Sequence, residues 1–200
     1  MRAGGPMKNT VARTMNELRA DHRNMVMLLD LLDAESASLA AGNESDYDLV
    51  YDIMTYMTEY PDAVHHPKED LIYRHIRSSH PDIDDSLQQI EADHKALSLA
   101  SSEIRRDIDS IADDGPVDRM ALAEALRKYS SDLRKHMYWE EKNLFELADS
   151  MQDDEEWATL LASHAAASDP LFGNHVKRRF NKLFNSIQRR IVWDSQQYFV

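Results

Sequence analysis

The sequence predicts an all-α fold, an up-down-up-down four-helix bundle with a C-terminal helical extension, and three observations predict it. Apolar residues recur at helical rather than strand spacing. Only five glycines and six prolines occur, and several stand where helices would stop or start. One arrangement of histidine and glutamate is written twice, as His22 with His65-x-x-x-Glu69 and then His94 with His136-x-x-x-Glu140; the His-to-His separations are 43 (65 − 22) and 42 (136 − 94) residues. Such repetition suggests two helical hairpins facing each other across a shared interior.

The first segment, near 10–41, is stopped by Gly42 and carries the stripe Leu18, His22, Met25, Val26 and Leu29. A second, near 45–78, runs to His80-Pro81, and Pro61 and Pro67 flank its His65. Proline inside a helix removes a hydrogen bond and clashes with the preceding turn, so a kink or break is expected there, which would loosen the His65/Glu69 pair. The third, near 82–113, carries Ile90, His94, Leu97, Ile104 and Ile108, and ends at Gly115-Pro116. The fourth, near 117–149, carries Leu122, Leu126, Tyr129, Leu133, His136, Glu140 and Leu144. Two shorter helices are expected near 154–167 and 170–192, the last opened by Asp169-Pro170. The chain thus divides into a bundle domain, 1–150, and an extension, 151–200, packing on it.

Composition excludes several classes. The chain has 200 residues, enough for a core without staples. Without cysteine there is no disulfide, thiolate zinc site, iron–sulfur ligation or catalytic thiol, so a metal must be held by nitrogen and oxygen. The net charge of −13 argues against nucleic acid as a partner. No run is long and apolar enough for a membrane span, and MRAGGPMKNT lacks the apolar core of a secretory signal, so a cytoplasmic protein is expected.

Residues four apart on a helix share a face, so His65 with Glu69, and His136 with Glu140, can each present a nitrogen and a carboxylate together. A carboxylate has two oxygens and can bridge two cations, while the four imidazoles cap the outer sides. His22, His65, Glu69, His94, His136 and Glu140 therefore form a candidate set for iron, manganese or zinc. The set leaves coordination positions open for a small molecule, with dioxygen, nitric oxide or peroxide the natural ligands of iron. Asp21, Asp93 and Tyr60 are candidates, by proximity in sequence, for orienting the rings.

The motifs Ala20-Asp21-His22, His65-His66-Pro67-Lys68-Glu69-Asp70-x-x-Tyr73, Glu91-Ala92-Asp93-His94 and His136-x-x-x-Glu140-Glu141-x-x-Leu144-Phe145 resemble the hemerythrin-like HHE cation-binding domains over roughly residues 10–148. The resemblance implies a non-haem di-iron centre inside a four-helix bundle, with His22, His65, His94 and His136 as terminal ligands and Glu69 and Glu140 as bridges. Oxygen-carrying members add a histidine one turn after the third-helix ligand, where Ser98 stands here, and place an aspartate five residues after the last histidine, where this chain has Glu141. The four-His, two-Glu set looks more like the iron-centre repair proteins of nitrosative stress, whose cysteine-containing domain has no counterpart in this cysteine-free sequence.

Other histidines read differently. His66 points away from His65 around an ideal helix and reads as a neighbour of the site or an exposed residue; His75, His80 and His175 read as surface, and His164 as solvated or at a helix end. Glu141 competes with Glu140 for the bridge. A ferritin-like iron store would carry Glu-x-x-His twice, and the candidate ligands run in the opposite order. From 175 to 192 there are six basic residues and no acid, with a stripe of Val176, Phe180, Leu183, Phe184, Ile187 and Ile191. A basic amphipathic helix docking on its own acidic bundle explains both faces, and binding of an acidic protein partner or a membrane surface is the alternative. Function then divides between a protein that binds or reacts with a small ligand, as sensor or in stress defence, and, as alternatives, an iron-responsive interaction module without catalysis or an iron store.

Overall fold

A computed structural model describes residues 10–112, 118–151, 154–162 and 168–197. These are predominantly helical, with no strand among them. Helix α1 spans Thr10–Ala40, α2 Tyr47–Glu59, α3 His66–Ser79, α4 Asp84–Ala112, α5 Arg119–Glu140, α6 Glu146–Ser150, α7 Asp154–Ala162 and α8 Asn181–Gln197. A π-helical turn, Pro61–His65, joins α2 to α3, and another, Glu141–Phe145, joins α5 to α6. Four rods result: α1, α2/α3, α4 and α5/α6. Each neighbours two others in a ring, α1 lying between α5/α6 and α2 while α4 lies between α2/α3 and α5.

Local chemistry sets the boundaries. Gly42 takes φ 75°, a left-handed conformation that costs a glycine nothing, and Gly42 N–H and Asn43 N–H close onto the carbonyls of Leu39 and Ser38 at 3.1 and 3.0 Å. Asp46 starts α2 by accepting from Leu49 N–H at 2.9 Å, and Asp118 starts α5 by accepting from Met120 and Ala121 N–H, both at 3.0 Å. The expected Gly115-Pro116 turn lies outside the described residues.

The second rod bends without breaking. Pro61 has no N–H to give, and the turn after it widens: the Tyr60 carbonyl accepts from both Val64 and His65 N–H, at 2.8 and 3.1 Å, and the Pro61 carbonyl accepts from His66 N–H. Helix α3 then continues through Pro67, which falls in its first turn, where an N–H is dispensable. The feared loss of the His65/Glu69 pair does not occur.

The extension packs on the bundle in two places. Trp157 of α7 is fully buried against a cluster that includes Met15, Leu18, Ile72 and Phe145. Phe180, Leu183 and Ile187 join the other cluster, beside Tyr56 and Met57 of α2. Arg179 pairs with Glu59, and Lys182 lies 3.9 Å from Asp48. The basic amphipathic segment therefore docks on its own chain through the described part of its stripe; the Ile191 side chain lies outside the described residues.

Its helix begins at Asn181, later than the expected 170. Asp169 opens a helix-like turn, accepting from Leu171 and Phe172 N–H at 2.7 and 2.8 Å, but the turn closes on itself. Gly173 N–H bonds the Asp169 carbonyl at 3.2 Å, and a Cβ on Gly173 would lie 2.3 Å from that oxygen. Tyr56 O–H holds the same Asp169 carboxylate at 2.9 Å, tying the turn to α2. His75 is a second correction: its side chain is only 10 % exposed and stands edge-on to Trp157 at 6.1 Å. His164 lies outside the described residues. Among the described residues, no helix is long and apolar enough to cross a membrane.

If Phe180 is the anchor of the extension, Phe180→Ala should cost about 3 kcal/mol, the usual loss for emptying a buried aromatic site. Urea unfolding followed by far-UV circular dichroism measures it, and an unchanged midpoint would count against this docking.

Candidate metal centre

The stripes that build the core also carry the polar site. Along α1 the buried face runs Met15, Leu18, His22, Met25 and Leu29, and along α5 it runs Tyr129, Leu133, His136 and Glu140. His22, His65, Glu69, His94, His136 and Glu140 are each at most 5 % exposed. They form a layer between the two apolar clusters, one containing Met25, Leu97, Leu133 and Met137, the other Leu18, Ile72, Ile90 and Leu144. All six predicted side chains are brought together.

The imidazoles fall into two pairs. His22 and His65 have ring centroids 5.1 Å apart at 55°, and His94 and His136 are 4.7 Å apart at 69°. Glu69 lies between the pairs, with Oε1 3.4 Å from His22 Nε2 and 3.1 Å from His65 Nε2, and Oε2 3.6 Å from His94 Nε2. Glu140 also spans them: Oε2 is 3.6 Å from His22 Nε2 and 3.3 Å from His136 Nε2, and Oε1 is 3.4 Å from His94 Nε2. Tyr73 O–H donates to Glu140 Oε1 at 2.8 Å and fixes that carboxylate.

Electrostatics inside the layer follow from crowding without water. Burial opposes the imidazolium of His22, but Glu141, Glu69 and Glu140 outweigh it and raise its pKa to about 10. His94 behaves alike: burial opposes, Asp70, Glu140 and Glu69 prevail, and the pKa rises to about 10. Glu140 is pushed up by burial and by Glu69, yet His136 and His94 bring it down to about 2. Glu69 is lowered too, His65 and His22 overcoming its burial.

These residues fit a metal by a direct structural test. Nε2 of His22, His65, His94 and His136, both oxygens of Glu69 and Glu140 Oε2 are all buried without a hydrogen-bond partner. Each such atom costs about 1–3 kcal/mol when left unsatisfied. All converge on one space, and nitrogen with carboxylate oxygen is a donor set for divalent first-row metals. One group with atoms mutually within 4.8 Å comprises His22, His65 and Glu69, and another His94, His136, Glu69 and His66.

His66 is close but badly oriented for ligation. It is 4 % exposed, which corrects the exposed alternative, and its ring stacks on His94 with centroids 4.4 Å apart at 11°. A metal lies in the plane of the imidazole that binds it. Two parallel, stacked rings share no such point, so His66 cannot bind the same ion as His94 in this arrangement. Its Nδ1 faces Asp62 at 3.3 Å, and Ser101 O–H holds Asp62 at 2.6 Å.

Carboxylates around the rim orient the rings by an internal symmetry. Asp21, directly before His22, meets His65 Nδ1 at 3.0 Å and is itself held by Tyr60 O–H at 3.1 Å. The acid following each inner glutamate crosses to the other half: Glu141 meets His22 Nδ1 at 3.0 Å, and Asp70 meets His94 Nδ1 at 2.8 Å. Of the three orienting candidates, Asp21 and Tyr60 act together on His65, whereas Asp93 stops 3.9 Å short of His136; Asp70, not among them, and Glu141, expected to compete for the bridge, orient His94 and His22 instead. The signal was present: an acid precedes the first histidine and another follows the glutamate in both halves.

A family model described as the hemerythrin HHE cation binding domain matches residues 13–148. No curated protein and no solved structure matches. The family match and the buried His/Glu layer together identify a metal-binding site.

Asp21→Ala, which releases the His65 ring, should weaken metal binding by about 10–100-fold, measured by competition with a chelator; an unchanged affinity would dismiss Asp21 as an orienting group. Metal binding should also release protons. His22 and His94, with pKa values near 10, are protonated at neutral pH in the metal-free protein, and a metal needs their neutral forms. His65 is raised as well, Glu69 and Asp21 outweighing its burial, so apparent affinity should rise with pH above neutrality, and calorimetry in buffers of different protonation enthalpy should show proton release on metal binding. Absence of proton release would contradict this charge assignment.

Proposed function

The chain belongs to the hemerythrin HHE cation-binding domain family, and on that premise we propose that it is a non-haem di-iron protein. It binds or reacts with dioxygen, nitric oxide or peroxide, as a sensor or in stress defence. His22 and His65 would hold one iron, His94 and His136 the other, with Glu69 and Glu140 bridging. The observation that carries this reading is the division of Glu69, whose Oε1 faces both imidazoles of the first pair at 3.1 and 3.4 Å while Oε2 faces His94 of the second at 3.6 Å.

Bound iron would supply open coordination positions and a ferrous–ferric couple suited to small diatomic ligands. The protein supplies the rest. Two carboxylates offset part of the cationic charge, the rim acids hold Nδ1 of three imidazoles so that Nε2 faces inward, and Tyr73 steadies Glu140. Apolar clusters on both sides keep bulk water away from the layer. Residues 1–150 are assigned to this metal-binding domain and 151–200 to an extension, an assignment supported by the docking of Trp157 and Phe180.

Anaerobic loading with Fe²⁺ followed by elemental analysis tests the reading. Two irons per chain are expected, with an optical change on adding nitric oxide. A protein that comes from iron-replete cells with a single zinc, or with no metal at all, would sink it.

A further inference from the structure

The four outer imidazole nitrogens are not treated alike. Nδ1 of His22, His65 and His94 each meets a carboxylate at 2.8–3.0 Å. Nδ1 of His136 is 3.9 Å from Asp93, too far for a hydrogen bond, and is buried without a partner. Position does not explain the shortfall, since Asp93 precedes His94 just as Asp21 precedes His22.

His136 also forms part of the wall of a groove of about 850 Å³ between α4 and α5. Small side chains at Ala96, Ala100 and Ala125 leave the gap, and Asp93, Glu103 and Asp107 line its α4 side. On the α5 side Lys128 and Lys135 both pair with Asp132, at 2.5 and 3.6 Å, so the groove as a whole carries four acids against two lysines. The acidic edge therefore acts on mobile cations, which a negative cleft concentrates. A buried, unpartnered ring nitrogen at the inner wall of a carboxylate-edged groove is the combination that a cation route needs.

We propose that metal ions reach and leave the centre through this groove, past His136, and that the ion held by His94 and His136 is the exchangeable one of the pair. The proposal rests on the two-metal reading above. No carboxylate has to be released when the His136 ring turns, whereas His65 is locked by Asp21, and Asp21 by Tyr60. Loss of a ring-orienting partner typically weakens metal affinity by about 10–100-fold, so the two positions should differ on that scale.

The test uses the full chain loaded with Co²⁺ alone, then stripped with excess chelator while the visible cobalt absorbance is followed. Two release phases of equal amplitude are expected, separated by about tenfold or more. Asp93→Glu, which carries the carboxylate closer to His136, should slow the fast phase toward the slow one. Ala96→Trp, filling the groove from an exposed position, should slow both loading and fast release with the Co²⁺ content unchanged. Glu103→Lys, also exposed, tests the route without added bulk and should slow loading at low salt. A single release phase, or a fast phase indifferent to Asp93→Glu, overturns the exchangeable position. Loading that neither Ala96→Trp nor Glu103→Lys slows overturns the route. Fewer than two Co²⁺ per chain would instead overturn the two-metal reading on which the proposal stands.

Discussion

The rest of the structure depends on gathering six ionisable side chains in the dry middle of a helical bundle. Two carboxylates placed this close repel, and Glu69 does raise the pKa of Glu140. Imidazolium groups offset that repulsion in the metal-free chain, at the cost of burying their own charge. Bound metal would remove both difficulties, because it would replace protons on nitrogen and draw on the carboxylate oxygens. The apolar clusters on either side hold the four rods at the required separation whether or not the layer is satisfied. Metal should therefore tighten the joint between two preformed halves of the core rather than create the fold.

Helical register explains how one layer receives so many polar groups. Successive residues of an α-helix point about 100° apart, and a regular helix would turn His66 away from His65. The π turn at Pro61–His65 inserts an extra residue ahead of α3, and both neighbours are buried. The second turn, Glu141–Phe145, does the same for Leu144 and Phe145, and Phe145 lies face-on to His22 with centroids 5.1 Å apart. Proline accounts for the first turn. The second contains none, and Asn143 stabilises it by donating to the Trp139 carbonyl at 2.7 Å.

Much of this was legible in the sequence because periodicity and repetition are local. The stripes, the six inward side chains and the glycine stop at Gly42 all lie where spacing places them. What was hidden depends on contacts between distant segments. Asp70 orients His94 from another helix, and Glu141 orients His22 across 119 residues. The delayed start of α8 follows from Gly173 packing on the Asp169 carbonyl and from Tyr56 holding that aspartate. His75 looked solvated until Trp157 of the extension covered it. Pro61 and Pro67 point equally to a break beside His65 and to a π turn, since a π turn has no composition signature that distinguishes it from a break.

His66 links the register of the helix to the asymmetry of the centre. Its stacking bars it from the ion that His94 would bind, but the same stacking covers one face of His94 while Asp70 fixes that ring at Nδ1. Asp62 lies beside His66 Nδ1 at 3.3 Å and is itself held by Ser101 O–H. His94 is therefore restrained on its face and at its edge. His136, its partner in the pair, meets His94 and His66 only edge-on, at 4.7 and 5.9 Å, and lacks a carboxylate at Nδ1. The repeat in the sequence would give two equivalent halves. The consecutive histidines at 65 and 66 have no counterpart at 136 and 137, where Met137 follows, and the halves diverge at that difference.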